Sequence, residues 1–381
     1  YLNMCGHGSI GVATVLVPNG MFRRDVAPVP WNYPVLLAAG PLICALAAGN
    51  RALVKMSEFT PATASLFAEL IAANFAEDEV SVVQGDASVA HSFSQLPFDH
   101  LLFTGSTPVG HHVMRAAAEN LTPVTLELGG KSPAIIGAKA NFAKAVERIV
   151  VGKSLNAGQT CIAPDYVLLP AGSEQDFIDT ARRVFAACYP DFATTPDYTA
   201  VVNERHFARL TGLVDEARTE GAEVVELVPG VVPDPTTRRF PPLLLSGVNA
   251  GMCVMQEEIF GPLLPLVPYD DLAQAIDYVN ARPRPLALYY FDNDASAIAT
   301  VLDQTVSGGV TINDTLLHIA QDDLPFGGVG ASGMGCYHGV EGFRTFSAKK
   351  GVFRQSWLSG IGLFKPPYGV RFERMIRLLL R

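Results

Sequence analysis

The sequence predicts an α/β fold, and two features of it lead to this expectation. From about residue 35 onward, short apolar segments of strand length alternate with longer segments whose apolar residues recur at helical spacing. Units of strand, turn and helix that repeat along a chain are typical of a parallel sheet with helices on both faces. The chain has 381 residues, 49% of them hydrophobic, which is enough for two or three domains of roughly 150 residues each.

The individual elements follow from apolar patterning and from the turn residues between them. Residues 35–49 are apolar and rich in alanine, which predicts a helix that stops at the Gly-Asn pair 49–50. The other predicted helices cover residues 61–74, the segment from the Gly-Ser-Thr turn at 105 to residue 118, and residues 142–154. Strands are predicted at residues 51–55, 80–84, 100–104, 133–136, 166–170, 224–228, 243–245, 264–267 and 287–291. The glycine-rich stretch 326–335 predicts an ordered loop.

Composition narrows the class of protein. A net charge of −9 disfavours nucleic acid or an anionic membrane as the main partner. The six cysteines are dispersed without a Cys-x-x-Cys pair, which is typical of free thiols in a reducing compartment, so a cytoplasmic location is expected. Histidines and cysteines do not occur at zinc-site spacing, so no metal is expected. The uncharged stretch 26–50 is interrupted by prolines, which favours a buried loop leading into a core helix over a transmembrane segment.

Four short segments carry the residue types of a catalytic site. They are PWNYP at 30–34, LELGGK at 126–131, GQTC at 158–161 and EEIFGP at 257–262. In this order they resemble the aldehyde dehydrogenase superfamily, and residues 156–166 and 325–339 resemble its class-3-type branch, which includes bacterial coniferyl aldehyde dehydrogenases. The resemblance implies a doubly wound cofactor-binding domain, a second α/β catalytic domain and a homodimer. It also implies that an aldehyde, coniferyl or another hydrophobic one, is oxidised to the acid with NAD(P).

Cys161 matches the nucleophile of that superfamily. A soft thiolate adds readily to an aldehyde carbon, and the product is poised to lose a hydride and become a thioester. An unperturbed thiol is only about 3% thiolate at pH 7, so the surrounding site has to raise that fraction. The alternative is an ordinary buried cysteine of the core.

Two further residues match catalytic positions. Glu127 lies 34 residues before the cysteine among apolar neighbours, and it matches the general base that activates water against the thioester. Its alternative is a solvent-facing carboxylate on a strand. Asn32 matches the side-chain donor of the oxyanion hole, which acts together with the backbone N–H of Cys161. Its alternative is a turn residue before Pro34.

The same resemblance assigns residues to the cofactor. Lys55 and Glu58 match the pair that binds the adenosine ribose, and a carboxylate there favours NAD, although NADP stays possible. Gly85 matches a position beside the adenine. The strand end and helix start at residues 104–106 are expected to face the pyrophosphate. The full set of predicted cofactor-binding residues is Trp31, Lys55, Glu58, Gly85, Thr104, Gly105, Ser106, Gly110, Glu258 and Phe260.

The beginning of the chain departs from the superfamily. Residues 1–18 resemble the Met-Cys-Gly-His-Gly segment of proline racemases and 4-hydroxyproline epimerases, in which Cys5 would be one of two acid/base thiols; the partner motif Cys-Gly-Thr-Gly is missing from this sequence. The apolar strand that leads into the Trp-Asn motif is also expected to be missing. These features predict an N-terminally truncated or chimeric chain, so an inactive relative and, less favoured, an epimerase fragment stay open as alternatives.

The predicted division places the racemase-like segment at 1–19, an incomplete NAD(P)-binding domain at 20–127, the catalytic domain at 128–315, and a return segment and tail at 316–381. In the tail, arginines recur at helical spacing opposite apolar residues between positions 369 and 381. This pattern fits a solvated helix face, a membrane surface or a partner subunit.

Overall fold

The structure is a computed structural model that describes the backbone of residues 13–14 and 26–28, together with residues 31–380. The racemase-like segment therefore lies outside the described residues, apart from the backbone of Ala13–Thr14. The chain divides into two units, residues 1–347 and residues 348–381.

The described strands are β1 (Ala13–Thr14), β2 (Val26–Pro28), β3 (Ala52–Lys55), β4 (Val80–Val83), β5 (Leu101–Gly105), β6 (Val124–Leu128), β7 (Pro133–Ile136), β8 (Tyr166–Pro170), β9 (Glu223–Glu226), β10 (Leu243–Ser246), β11 (Leu263–Tyr269), β12 (Ala287–Phe291), β13 (Gly309–Ile312) and β14 (Gly333–Met334). The helices are α1 (Leu36–Ala47), α2 (Pro61–Asn74), α3 (Ala87–Ser94), α4 (Thr107–Ala118), α5 (Phe142–Ser154), α6 (Glu174–Cys188), α7 (Glu204–Thr219), α8 (Cys253–Gln256), α9 (Leu272–Asn280), α10 (Ala295–Gln304), α11 (Gly339–Thr345) and α12 (Val370–Leu379).

The first sheet is built mainly from the N-terminal part of the chain. Its main path runs β1-β3-β2-β5-β6-β14, and β4 pairs with β3. The strands β2 to β6 pair in parallel, with α2 and α4 as crossover helices, whereas β1 and β14 are antiparallel to their neighbours. A parallel sheet of this kind collects the carboxyl ends of β3, β5 and β6 at one edge, where ligands of doubly wound folds bind.

The second sheet has the order β13-β12-β7-β8-β11-β10-β9 in the described residues. Its strands are parallel except for β9, which is antiparallel to β10. Strands β7, β8, β11 and β12 are buried almost throughout, as expected for a sheet covered on both faces. The α/β expectation is therefore confirmed.

Two sequence-based expectations about local structure are wrong. Residues 26–28, expected to lie in a loop without a strand before the Trp-Asn motif, form β2 between β3 and β5. Pro28 is the last residue of that strand, so its missing N–H affects only the end of the ladder. Within the predicted loop 326–335, Gly333–Met334 form β14, which covers the edge of β6 that would otherwise be unpaired.

Local sequence explains where many helices begin. The side chains of Asp86, Asn141, Asn203, Asp271 and Asp294 each accept hydrogen bonds from the first N–H groups of the following helix. The largest core cluster packs α5 and α6 against the second sheet and continues through Leu126 and Leu128 into β6. This continuous packing fixes β6, and hence residue 127, against the segment that follows α5.

The second unit contains α12, which is amphipathic and has no buried residue. Its arginines and Val370, Leu378 and Leu379 are exposed, whereas Phe372, Met375 and Ile376 are partly buried. Among the residues that the structure describes, no helix combines the length and the apolar character needed to cross a membrane.

Candidate active site

A cleft of about 1940 Å³ lies at the carboxyl ends of the strands of the first sheet. It is called the central cleft below. The predicted site residues that line it are Trp31, Asn32, Glu58, Thr104, Gly105, Ser106, Glu127, Cys161, Glu258 and Phe260. Residues that are far apart in the sequence are thus brought to one surface by the fold.

Three predicted cofactor residues, Lys55, Gly85 and Gly110, do not line the central cleft. The buried Lys55 ammonium donates to the carbonyls of Met56 and Gly85 at 2.7 and 2.8 Å, and its nitrogen lies 3.7 Å from Glu58. The buried Lys55 ammonium therefore forms an ion pair with Glu58, and it is the Glu58 side chain that lines the cleft. Gly110 packs within α4 against Leu128 of β6, which brings that helix close to the sheet.

The segment before Cys161 has an unusual backbone. Asn156, Ala157 and Gly158 have φ values of 51°, 53° and 72°, in the left-handed region that costs energy for residues other than glycine. At Gly158 a Cβ atom would lie 2.3 Å from the carbonyl oxygen of Gly261, so only glycine fits this approach. Strain of this kind persists where the surroundings hold it, and it is found frequently at functional sites.

The strained segment is held by Gln159. Its buried amide donates to the carbonyls of Asn156 and Ala200 at 3.0 and 3.1 Å, and its side-chain oxygen accepts from the N–H of Val202 at 3.0 Å. These three contacts fix the backbone immediately before Cys161, whose side chain is free of disulfide bonding and partly exposed.

The Trp-Asn motif contacts the same segment from the other side. Asn32 is 3% exposed, and its Nδ2 donates to the carbonyl of Gln159 at 3.2 Å. An amide nitrogen carries two hydrogens, so one N–H is left for a substrate oxygen. The hydroxyl of Tyr33 lies 2.7 Å from Oγ1 of Thr160, the neighbour of Cys161.

Glu127 is fully buried in β6 and lines the cleft. Both of its carboxylate oxygens are without a hydrogen-bond partner among the described residues. Burial raises the pKa of Glu127 well above its ordinary value, because the charged form loses its water without gaining a partner. Such a carboxyl is a stronger base once it has lost its proton.

At the end of β5, the first turn of α4 faces the cleft through Ser106, Thr107 and Pro108. Ser106 is the N-cap residue, and its side chain makes no capping hydrogen bond. The N–H groups of the first turn of a helix have no partner within the helix, and they attract anions such as phosphate.

On the opposite wall, Glu258 and Phe260 follow the short helix α8. The Glu258 carboxylate accepts from the N–H of Gly130, and burial raises its pKa to about 8. It lies so close to Gly129 that a Cβ there would be 2.0 Å from Oε2. Its Oε1 is buried and unpartnered among the described residues, and the ring of Phe260 packs edge-on against Trp31 at 5.6 Å.

The sequence did not single out three charged residues beneath this wall. Asp165 and Lys153 are buried, and Lys131, which also lines the cleft, pairs with Asp165. Lys131 and Asp165 adjoin recognisable motifs, in Gly-Gly-Lys and in the segment after Cys161, which is the signal that could have marked them. Lys153 lies in an otherwise ordinary helix and gave no such signal.

Comparison with known proteins decides the family. The model of the aldehyde dehydrogenase family matches residues 19–352. The chain belongs to the aldehyde dehydrogenase family. Because the match begins at residue 19, it gives no support to a racemase origin of residues 1–18.

Individual relatives agree with this assignment. A probable coniferyl aldehyde dehydrogenase of Pseudomonas aeruginosa is 57% identical over 348 residues, which are 91% of this chain and 72% of the relative. A coniferyl aldehyde dehydrogenase of a Pseudomonas species is 51% identical over 354 residues, 92% of this chain and 74% of the relative. A solved structure described as the substrate-bound state of Staphylococcus aureus AldH superimposes with a TM-score of 0.86 at 40% identity, over 97% of this chain and 82% of that one. This chain is accordingly an oxidoreductase that acts on aldehydes.

Family membership implies a nicotinamide cofactor, and the residues present fit such a group. The volume of the cleft, about 1940 Å³, suffices for a dinucleotide. The uncapped start of α4 offers N–H donors to a pyrophosphate, and the unpartnered Oε1 of Glu258 offers an acceptor to a ribose hydroxyl.

Proposed function

We propose that this protein oxidises a hydrophobic aldehyde, such as coniferyl aldehyde, to the carboxylic acid through a thioester on Cys161. The observation that carries the proposal is the convergence of Cys161, Glu127 and Asn32 on the central cleft. A nucleophile, a buried base and an amide donor on one surface are the parts that an acyl-enzyme mechanism needs. The relatives named for coniferyl aldehyde support the substrate class.

Cys161 performs the first step. Its thiolate adds to the aldehyde carbon, a carbon–sulfur bond forms, and the carbonyl oxygen takes up negative charge. The free N–H of Asn32 and the backbone N–H of Cys161 stabilise that oxygen. One such donor contributes about 10²- to 10³-fold to the rate of comparable reactions. The contact of Asn32 with the Gln159 carbonyl holds the amide in place for this role.

A bound nicotinamide would supply the acceptor for the hydride that the former aldehyde carbon loses, and the carbon would then be held as a thioester on Cys161. Glu58, supported by Lys55, is proposed to hold the adenosine ribose, and Glu258 and Phe260 the nicotinamide ribose. A carboxylate at the adenosine ribose would repel a 2′-phosphate, which favours NAD over NADP as the working cofactor.

Glu127 performs the last step. Its carboxylate takes a proton from a water molecule whose oxygen attacks the thioester carbon, and the carbon–sulfur bond then breaks to release the acid and the Cys161 thiolate. Burial in β6 gives this carboxylate the raised pKa that suits a general base.

Several wider properties are proposed on the resemblance alone. The protein belongs to the class-3-type branch, as the residues 156–166 and 325–339 suggest, and it acts as a homodimer in the cytoplasm. We also propose that residues 20–127 and 128–315 are the cofactor-binding and catalytic domains. Strand β6 ends at Leu128, one residue beyond the proposed boundary.

The experiment is an assay of the purified chain with coniferyl aldehyde and with NAD or NADP. The increase in absorbance of the reduced cofactor is expected with the wild-type protein and absent in Cys161→Ala. Cys188→Ala is the matched control, because Cys188 is an exposed thiol outside the cleft, and it is expected to retain full activity. A folded, soluble wild-type protein that reduces neither cofactor with any hydrophobic aldehyde would instead favour the inactive-relative alternative.

A further inference from the structure

A largely buried ion pair, Lys131 with Asp165, is part of the wall of the cleft that carries Glu258. Asp165 comes four residues after Cys161, and its side chain is 3% exposed. One carboxylate oxygen, Oδ1, accepts from the Lys131 ammonium, and the other, Oδ2, accepts from the N–H of Ile259 at 2.9 Å. The N–H of Asp165 itself donates to the carbonyl of Ser132 at 2.8 Å.

The Lys131 ammonium also contacts the backbone of the segment that carries Glu258. It donates to the carbonyl of Val254 at 2.7 Å and to the carbonyl of Glu257 at 3.1 Å. With the pair to Asp165, its three donors are all engaged, which is the full capacity of a lysine. The ammonium and the carboxylate together therefore bind the residues before and after Glu258.

The pair joins three pieces of the site. Lys131 follows the Gly-Gly pair against which Glu258 packs, Asp165 belongs to the segment of Cys161, and the contacted backbone belongs to the segment 254–259. A buried ion pair gains little net stability, since both ions lose their water. Its value lies in fixing one arrangement of the groups that it joins, and here that arrangement sets the Glu258 carboxylate.

Other charges face the pair. Lys153 is also buried, and burial lowers the pKa of Lys153 to about 8, while the charges of Asp165 and Glu258 act in the opposite direction. The Arg209 guanidinium also donates to the carbonyls of Glu258 and Ile259, so the ammonium of Lys131 is one of three cations around the carboxylates of Asp165 and Glu258. If Lys131 is removed, Asp165 loses its directly bonded cation and the turn before Glu258 loses two carbonyl partners.

We infer that Lys131 and Asp165 are positioning residues that hold Glu258 and Phe260 in the geometry for binding the nicotinamide cofactor. The inference rests on the proposed function, because it assigns Glu258 to the cofactor. The pair acts through the backbone of residues 254–259, since the three donors of the Lys131 ammonium are taken up by Asp165 and by the carbonyls of Val254 and Glu257. The Cys161 thiol is held separately, by the contacts of Gln159 and Asn32.

The test is the affinity of the full chain for NADH, measured by fluorescence titration, in Lys131→Met. Loss of hydrogen bonds to a charged group is expected to weaken binding by about tenfold or more. The rate at which iodoacetamide alkylates Cys161 without cofactor is expected to stay within about twofold of the wild type, because the thiol has its own supports. Lys139→Met is the matched control, since Lys139 forms a surface pair with Asp294, and it is expected to change neither quantity.

A second variant distinguishes a specific loss of NADH binding from a general loss of folding. In Lys131→Met/Asp165→Asn the ion pair is removed as a unit, Lys153 keeps Glu258 as an acidic neighbour and the acceptor for Ile259 is kept, so this protein is expected to fold but still to bind NADH weakly. Wild-type affinity in a folded Lys131→Met or in the double variant would overturn the inference, as would an equal loss of thiol reactivity. If the wild-type protein itself binds no NADH, the proposed function fails instead.

Discussion

Replacing Gly129 by alanine adds a single methyl group next to Glu258 and so tests the geometry of the cleft wall that carries this residue. The new Cβ would lie 2.0 Å from Oε2 of Glu258 and 2.4 Å from its Cδ. Contacts of a Cβ below 3.0 Å essentially do not occur, so the carboxylate has to retreat by about 1 Å, the difference between 3.0 and 2.0 Å. The backbone at Gly129 has no positive φ, so the alanine itself is unstrained.

The expected result is a weaker and slower enzyme with a normal fold. A misplacement of about 1 Å at a positioning group costs on the order of 10²-fold in rate, so we expect kcat/KM for NAD to fall by about 10- to 100-fold. The melting temperature is expected to change little, because Glu258 can move toward the open cleft. The assay is steady-state kinetics with NAD varied at saturating aldehyde, together with NADH titration.

Gly212→Ala is the matched control for the added methyl group. Gly212 lies within α7, and a Cβ there meets no atom within 4 Å. Alanine at an exposed helix position stabilises by up to about 1 kcal/mol relative to glycine, so this variant is expected to keep full activity and gain slight stability. Unchanged cofactor kinetics in Gly129→Ala would refute the assignment of Glu258 to the cofactor.

Two further predictions concern the other walls of the cleft. Asn32→Ala is expected to lower kcat by about 10²- to 10³-fold while NADH affinity stays near the wild-type value, and a loss confined to KM for the aldehyde would contradict the role in stabilising an oxyanion. Glu258→Gln is expected to remove the part of the pH dependence of the free energy of unfolding that arises from the Glu258 carboxyl. A carboxyl whose folded pKa lies above its unfolded pKa holds its proton more tightly when folded, so its contribution to stability is complete below pH 4 and is lost as the pH rises toward about 8. Denaturant unfolding at pH 6 and pH 9 should therefore show the variant gaining on the order of 2 kcal/mol relative to wild type between these pH values, and an equal difference at both would count against the raised pKa.

The sequence was most informative where the chemistry demands a particular residue type. A thioester mechanism needs a cysteine and a base, and Cys161 and Glu127 stand in segments whose types and order are specific. Long amphipathic helices such as α2 and α5 were predicted with the bounds that the structure has, since many residues contribute to a helical period.

Short strands and residues that act by positioning others were harder to predict from the sequence. Three residues are too few to show alternation, so Val26–Pro28 gave no strand signal, and β14 consists of a glycine and a methionine in a glycine-rich stretch. Burial of Lys131 and Asp165 depends on segments that meet only in the folded chain. For the same reason the sequence did not show that Lys55 forms a buried ion pair with Glu58 and does not itself line the cleft.

The most direct measurement is intact-protein mass spectrometry of Glu127→Gln after mixing with coniferyl aldehyde and NAD. Without its base, this variant is expected to form about one equivalent of NADH in a rapid burst and to retain the acyl group as a thioester that peptide mapping assigns to Cys161. The adduct is expected to be absent from Glu127→Gln/Cys161→Ala. A burst without any adduct, or an adduct that persists when Cys161 is replaced, would contradict covalent catalysis by this thiol.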